Sequence, residues 1–319
     1  MKPGRQAGAA ILTAMLTVVL VATLAASALW QQWRAVEVEA AERSRAQSGW
    51  VLNGALDWAR LILREDARKG GADHLAEPWA VPLEQARLST FLAADRSDAL
   101  AADEAQDAFL SGQIVDLQSR LNVANLVQNG KVDDPSRLAF TRLFDQLNLP
   151  VTELAVMIDN FRLMQDGSAE NRSNMTLPLF PREPEELAWV GLSAMTIARL
   201  SPYVTLLPVP TPVNLNTAAV EVIYACVDTF EMADATRFVR ERDLSHLTAL
   251  ADAGKIAGSA KTRFNEAQHG VSSRFFEVRG NLQVEQTTVL ERSVVQRDGM
   301  EVKTLWRKRG VAAPSAPLQ

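Results

Sequence analysis

AAILTAMLTVVLVATLAASALW, residues 9–30, is the stretch on which the fold turns; Lys2 and Arg5 precede it and no charge occurs from Gln6 to Trp33. It is long enough for one helical crossing of a bilayer, which takes about 20 apolar residues. Three readings fit it. A cleavable secretory signal would use Lys2 and Arg5 as its basic start, Ile11 to Leu24 as its apolar core and Ala26-Ser27-Ala28 as its cleavage site, leaving a chain that begins at Leu29. A plain membrane anchor is the second. The third is a short basic leader that ends at Gly8 and is cut before Ala9, so that the apolar helix stays on the mature chain.

The residues after the apolar run separate these readings. No Gly or Pro occurs between Ala9 and Ser48, and Arg34 to Ser48 is rich in Ala, Glu, Arg and Gln, so nothing obliges the helix to stop at a membrane surface. Beyond Gly49, the residues Trp50, Gly54, Trp58 and Leu61 recur at helical spacing. One helix from Ala9 to about Lys69 would extend on the order of 90 Å at 1.5 Å per residue. A secretory signal has no reason to continue in this way. Lys2 and Arg5 favour a cytoplasmic N-terminus, although Arg34, Arg43 and Arg45 flank the other side.

Composition narrows the classes further. The 319 residues carry a formal net charge of −5, the opposite of the basic excess of a general nucleic-acid binder. The single cysteine, Cys226, excludes an intrachain disulfide, and its apolar setting from Val222 to Val227 marks it as a core residue.

Downstream, Gly70-Gly71 ends the long helix, and Asp73 to Pro82 reads as an irregular loop. Gly112 to Val123 alternates apolar and polar residues and reads as one or two strands, with Asn129-Gly130 as a turn signal. Asp134-Pro135-Ser136 starts a helix, and Val151 to Met164 forms a second before a polar loop from Gln165 to Met175. Glu185 onward resumes helix, and Pro202, Pro208, Pro210 and Pro212 mark a connection. Thr217 is placed to cap a helix beginning near Val220, and helical segments continue to about Phe264. Phe276, Val278, Leu282 and Val284 then give strand character, and Asp298-Gly299 signals a two-residue hairpin.

Taken in order, these segments resemble the K-type minor pseudopilins of type II secretion systems, general secretion pathway protein K, over almost the whole chain. The residues that carry the resemblance are the Gly8-Ala9 junction; Gly112, Ile114, Asp116, Gln118, Arg120 and Asn122 in alternation, followed by Asn125-Leu126; Glu185-Glu186-Leu187 before Val190-Gly191; Pro202-Tyr203; Val213-Asn214-Leu215-Asn216-Thr217-Ala218; and Phe275-Phe276-Glu277-Val278.

The resemblance implies an α+β fold, with a pilin-like long N-terminal helix packed on a small antiparallel sheet and a large all-helical insertion, SAM-like or helix-hairpin-helix-like. It divides the chain into a prepilin-type leader (1–8), a transmembrane part (9–30), a first pilin-like part (31–130), a helical insertion (131–264, as modules of about 131–207 and 211–264), C-terminal strands (265–310) and a flexible tail (311–319). It implies a non-enzymatic tip subunit of the periplasmic pseudopilus that initiates pilus assembly and supports export across the outer membrane. Its implied partners are the I-type and J-type minor pseudopilins, the major pseudopilin, the prepilin peptidase and the inner membrane, with the N-terminus cytoplasmic, the bulk of the chain periplasmic and no nucleic acid bound.

Residue roles follow from the same resemblance. Prepilin peptidase would cut between Gly8 and Ala9. Most pilins carry Glu at the fifth mature position, where it pairs with a neighbouring subunit's terminal ammonium; here that position is Thr13. A carboxylate in lipid costs several kcal/mol unless paired, and the lack of one resembles the K-type pattern of a subunit with none above it. Some K-type subunits bind calcium in the loop after the first inserted helices, where this chain offers Asp159, Asp166, Glu170 and Asn171. That oxygen-rich set suits calcium, but Asn160 and Asn171 stand where carboxylates would be expected, and a solvated polar loop accounts for it better.

Other constellations carry no chemistry. His74, His246 and His269 lie far apart in sequence without ligand spacing. Neither a nucleophile elbow, a Walker loop nor a dinucleotide fingerprint occurs. Glu65-Asp66 and Glu185-Glu186 read as solvated pairs, and the surroundings of Asn214 to Ala218 are acidic, which favours packing over phosphate contact. Two other readings stay open: a minor pilin-like subunit of another type IV filament, and a soluble periplasmic binding protein released by signal peptidase after Ala28.

Overall fold

In the computed structural model, the described residues are 7–88, 108–165, 179–258, 262–284 and 287–312. The leader residues 1–6, most of the polar loop (166–178) and the end of the tail (313–319) lie outside them. The chain divides into two compact units, 1–54 and 55–319.

The described residues of the first unit are helix. α1 runs from Ala7 to Lys69, as the absence of breakers predicts, and its N-terminal part belongs to this unit. It includes a stretch with a mean hydropathy of 2.2 that is not buried at all, long and apolar enough to cross a membrane. A secretory signal passes the same test.

The second unit holds the end of α1 and everything after it. Gly70 closes the helix by donating to Asp66 O. A 3-10 turn comes next at Pro78–Ala80, then β1 (Leu83–Arg87) and β2 (Ala108–Asp116). The reading of Gly112 to Val123 as one or two strands resolves into two, β2 and a short strand at Leu121–Asn122, with a break after Asp116. There the Asp116 carboxylate accepts from Gln118 N and turns the chain into a 3-10 helix over Leu117–Ser119, as an Asx cap does. β3 (Leu121–Asn122), β4 (Val127–Gln128) and β5 (Lys131–Val132) are short.

Three helices come after them: α2 (Asp134–Gln146), capped by Asp133; α3 (Val151–Gln165); and α4 (Ala194–Leu200), capped by Ser193. β6 (Val204–Thr205) and β7 (Val213–Asn214) bracket the proline-rich connection. α5 (Val220–Cys226), α6 (Met232–Leu244) and α7 (Leu250–Ala257) complete the insertion. After β8 (His269–Gly270), the long strands β9 (Phe275–Val284), β10 (Thr287–Asp298) and β11 (Glu301–Ala312) end the described chain.

The main sheet has the order β1-β2-β9-β10-β11 and is antiparallel throughout. β2 and β9 are neighbours although the whole insertion separates them in sequence. At the β10–β11 turn, Asp298 pairs with Glu301, so the two loop residues are Gly299 and Met300, one position later than the sequence signal. Gly299 takes the left-handed φ of 57° that the first loop position demands and that side chains resist.

The period-2 alternation of the strands divides the sheet into two faces. Phe276, Val278, Val295 and Val302 pack with Leu56, Ala59 and Leu63 of α1 and with Trp79. Burying each such side chain contributes about 1.5–3 kcal/mol. Phe275 and Val294 point the other way, to Leu117, Leu207 and Trp306. The inserted helices share one hydrophobic cluster that runs from Leu121 to Ala257. Cys226 belongs to it, and burial pushes its thiol up to about 12. Arg142 ties the helices together by donating to the carbonyls of Tyr224, Val227, Asp228 and Phe230 at the end of α5.

Candidate functional site

The motifs that stand out in the sequence converge on one buried polar junction between sheet and insertion. Asp116 ends β2 and is 2% exposed. Its carboxylate accepts from Gln118 N (2.7 Å), Thr217 Oγ1 (2.5 Å), Ser273 Oγ (2.6 Å) and Asn214 Nδ2 (3.0 Å). Burial raises the Asp116 pKa, and the donors from Ser273, Thr217, Gln118 and Asn214 hold it down. A carboxylate survives burial only with such partners.

Asn214 is fully buried and also donates to Asp73 O and Ser273 Oγ. Its carbonyl oxygen accepts from Asn216 N. Asn216 in turn exchanges two hydrogen bonds with the Leu247 backbone, and Asn122 and Asn125 hold the 207–211 connection in the same manner. These asparagines lock loops through both halves of the amide. Thr217 does not cap the helix: Ala219 holds the N-cap position of α5, because the Thr217 hydroxyl is committed to Asp116.

Beside this network, Arg297 of β10 donates to Asp73 through Nη2 at 2.6 and 2.7 Å, to Asp66 at 2.6 Å and to Ser273 O at 2.7 Å. Asp66 is therefore not on a solvated face; its side chain is 11% exposed. Glu77 accepts from His74 N and Trp79 Nε1. The carboxylate oxygens of Asp66, Asp73 and Glu77 lie within 4.8 Å of one another, a spacing that suits a metal ion of unspecified kind. Of these three, Asp66 and Asp73 pair with the Arg297 guanidinium. Burial, against the pull of Arg297, raises Asp73 to about 6; burial with help from Asp66 raises Glu77 to about 7.

The histidines are also closer than their sequence positions imply. The rings of His74 and His246 stack 3.7 Å apart, and burial and His246 pull His74 below its ordinary pKa. His269 is elsewhere, its Nε2 3.1 Å from Cys226 O.

Of the positions suggested by resemblance, Gly8 and Ala9 lie in the first turn of α1, and Thr13 Oγ1 donates to Ala10 O. Asp159 is exposed on α3, 3.8 Å from Arg162. Asp166, Glu170 and Asn171 lie outside the described residues. Nothing in the sequence signals the Asp66–Asp73–Glu77 group, because its members come together only when α1, the following loop and β10 pack.

Two family models described as "Type II secretion system (T2SS), protein K" match the insertion back to back, over residues 119–209 and 213–272. What the chain matches is the type II secretion system protein K family, by family model in the insertion and by its relatives along most of its length. The junction is where the matched region enters and leaves the sheet: Asp116 precedes it, Asn214 and Thr217 open its second part, and Ser273 comes directly after it. The type II secretion system protein K of Pseudomonas aeruginosa is 26% identical over 86% of this chain and 83% of its own. That of Pectobacterium carotovorum is 26% identical over 96% and 97%. A solved structure titled as the GspK-GspI-GspJ complex from the enterotoxigenic Escherichia coli Type 2 Secretion System contains a chain of similar fold. Its TM-score is 0.64 at 18% identity, covering 85% of this chain and 98% of that one.

Proposed function

We propose that this protein is a member of the protein K family and a minor pseudopilin at the tip of the type II secretion pseudopilus, a structural subunit rather than an enzyme. The observation that carries the reading is the combination of the matched insertion with the frame around it, a long helix that begins apolar and ends packed on an antiparallel sheet. In this reading prepilin peptidase cuts between Gly8 and Ala9, residues 9–30 anchor the chain in the inner membrane with a cytoplasmic N-terminus, and the rest is periplasmic. Thr13 stands in place of the usual pilin Glu, which removes both a charge from lipid and a contact to a subunit above. The I-type and J-type minor pseudopilins and the major pseudopilin are the assembly partners.

The test is the N-terminus of the mature chain in cells that carry the peptidase. Ala9 is expected, with Gly8→Val blocking the cut; Leu29 would replace this reading with the secretory signal. Co-purification of the full chain with I-type and J-type subunits tests the tip position. Calcium binding through Asp159, Asp166, Glu170 and Asn171 is a separate part of the proposal, checked by calcium titration of the wild type against Asp159→Ala.

A further inference from the structure

Arg120 stands in the same alternating motif as Asp116, yet the buried junction does not use it. It is half-buried, and among the described residues its guanidinium makes no hydrogen bond or ion pair. Burial lowers its pKa, Glu277 counters this, and Arg279 and Arg292 lower it further by repulsion, with Asp116 a lesser attraction. A desolvated cation in that position lacks a counter-charge.

Its neighbours make the shortage specific. Arg279 of β9 and Arg292 of β10 are directly opposite each other, a like-charge pair that is unfavourable by itself. Glu277 bridges them, taking Arg279 Nε on one oxygen and Arg292 Nη2 on the other. With its side chain 2% exposed, Glu277 is fully engaged. Glu185 is largely exposed and 3.8 Å from Arg292, and Glu291, a third acid at the groove, is taken on its two oxygens by Arg307 and Arg309. With Glu291 committed to Arg307 and Arg309, three guanidiniums share the two remaining carboxylates, and Arg120 is the one left over. All three line a single groove of about 770 Å³, where Gln113 and Asn281 add amide groups and Leu83 and Pro202 add apolar walls.

We propose that this groove is a carboxylate-binding site, in which Arg120, beside Arg279 and Arg292, takes an acidic side chain or a chain-terminal carboxylate of a polypeptide partner. The surplus is one unit of positive charge, which matches a carboxylate rather than a dianion, and the guanidinium fork pairs with two carboxylate oxygens at once. The apolar walls suit the backbone and methylene groups of a peptide. The site rests on this chain's own side chains and does not depend on the filament-tip reading.

The experiment uses the full chain in detergent micelles and calorimetric titration with four probes. These are an N-acetylated, C-amidated pentapeptide with one central Glu, its Gln counterpart, the Gln peptide with a free C-terminus, and inorganic phosphate. Saturable binding of the first or the third is expected, and which one binds identifies the source of the carboxylate. Arg120→Gln should weaken that binding about tenfold or more while leaving the thermal midpoint of the free protein unchanged or higher, because it removes an uncompensated charge. Equal binding by the variant, binding of phosphate alone, or no saturable carboxylate probe would overturn the proposal. So would a variant that melts markedly earlier, since Arg120 would then be a structural group.

Discussion

Asp116 receives four hydrogen bonds in a site without solvent, so the cost of losing it is that of stranded donors. Each buried donor left unpaired costs about 1–3 kcal/mol, and relaxation recovers part of the sum. Asp116→Ala should therefore destabilise the second unit by about 3 kcal/mol or more, read as the shift of the denaturation midpoint, and Asp116→Asn by less because one acceptor remains. At the same scale, the raised acids Glu77 and Asp73 give stability a pH dependence. With a folded-state value near 7 against an ordinary 4.5, Glu77 keeps its proton in the folded chain where the unfolded chain has lost it. The folded state binds more protons across that window, so this contribution is full at low pH and fades as pH rises from about 4.5 to about 7. Glu77→Gln should flatten the wild-type decline in thermal midpoint between pH 5 and pH 8. Comparison with the variant cancels the opposite trend from His74 and His269, whose pKa values are lowered.

Among the elements, β2 is the most sensitive, because its pairing with β9 closes the sheet across the insertion. Gly112 sits where a Cβ would meet Arg279 O at 2.8 Å, closer than a carbon can approach a backbone oxygen. Gly112→Val should force the two strands apart, lower the free energy of unfolding by about 2 kcal/mol and increase amide exchange in β2 and β9 above that in α2 and α3. The helices were largely legible in the sequence, since caps and breakers are local: Asp133 starts α2, and the lack of Pro throughout α1, with no Gly from Ala9 to Ser48, lets it run to Lys69. The end of β2 was not. Alternation continues to Val123, but the Asp116 side chain turns the backbone after 116, and alternation carries no information about where a side chain finds its donors.

For the molecule as a whole, the question is how a large insertion leaves the sheet and returns without disrupting it. The polar junction answers it: Asp116 on the outgoing strand, Asn214 and Thr217 inside the insertion, Ser273 just before the returning strand β9 and Arg297 on β10 share one network. Asp116 and Asn214 should consequently couple. A double-mutant cycle with Asp116→Ala and Asn214→Ala should yield an interaction energy of about 1–2 kcal/mol, and additive effects would remove the network from this role. By itself the sequence determined the long helix, the helical character of the insertion, the C-terminal strands and the motif residues, because each depends on periodicity, capping or breaking within a few residues. Only the tertiary structure decided that Asp66 pairs with Arg297 away from a solvated face, that Thr217 serves Asp116 instead of a helix end, that His74 stacks on His246 and that, among the described residues, Arg120 is left unpaired. Those outcomes depend on which distant polar groups share a dry interior, where every charge and donor must find a partner that no local pattern encodes.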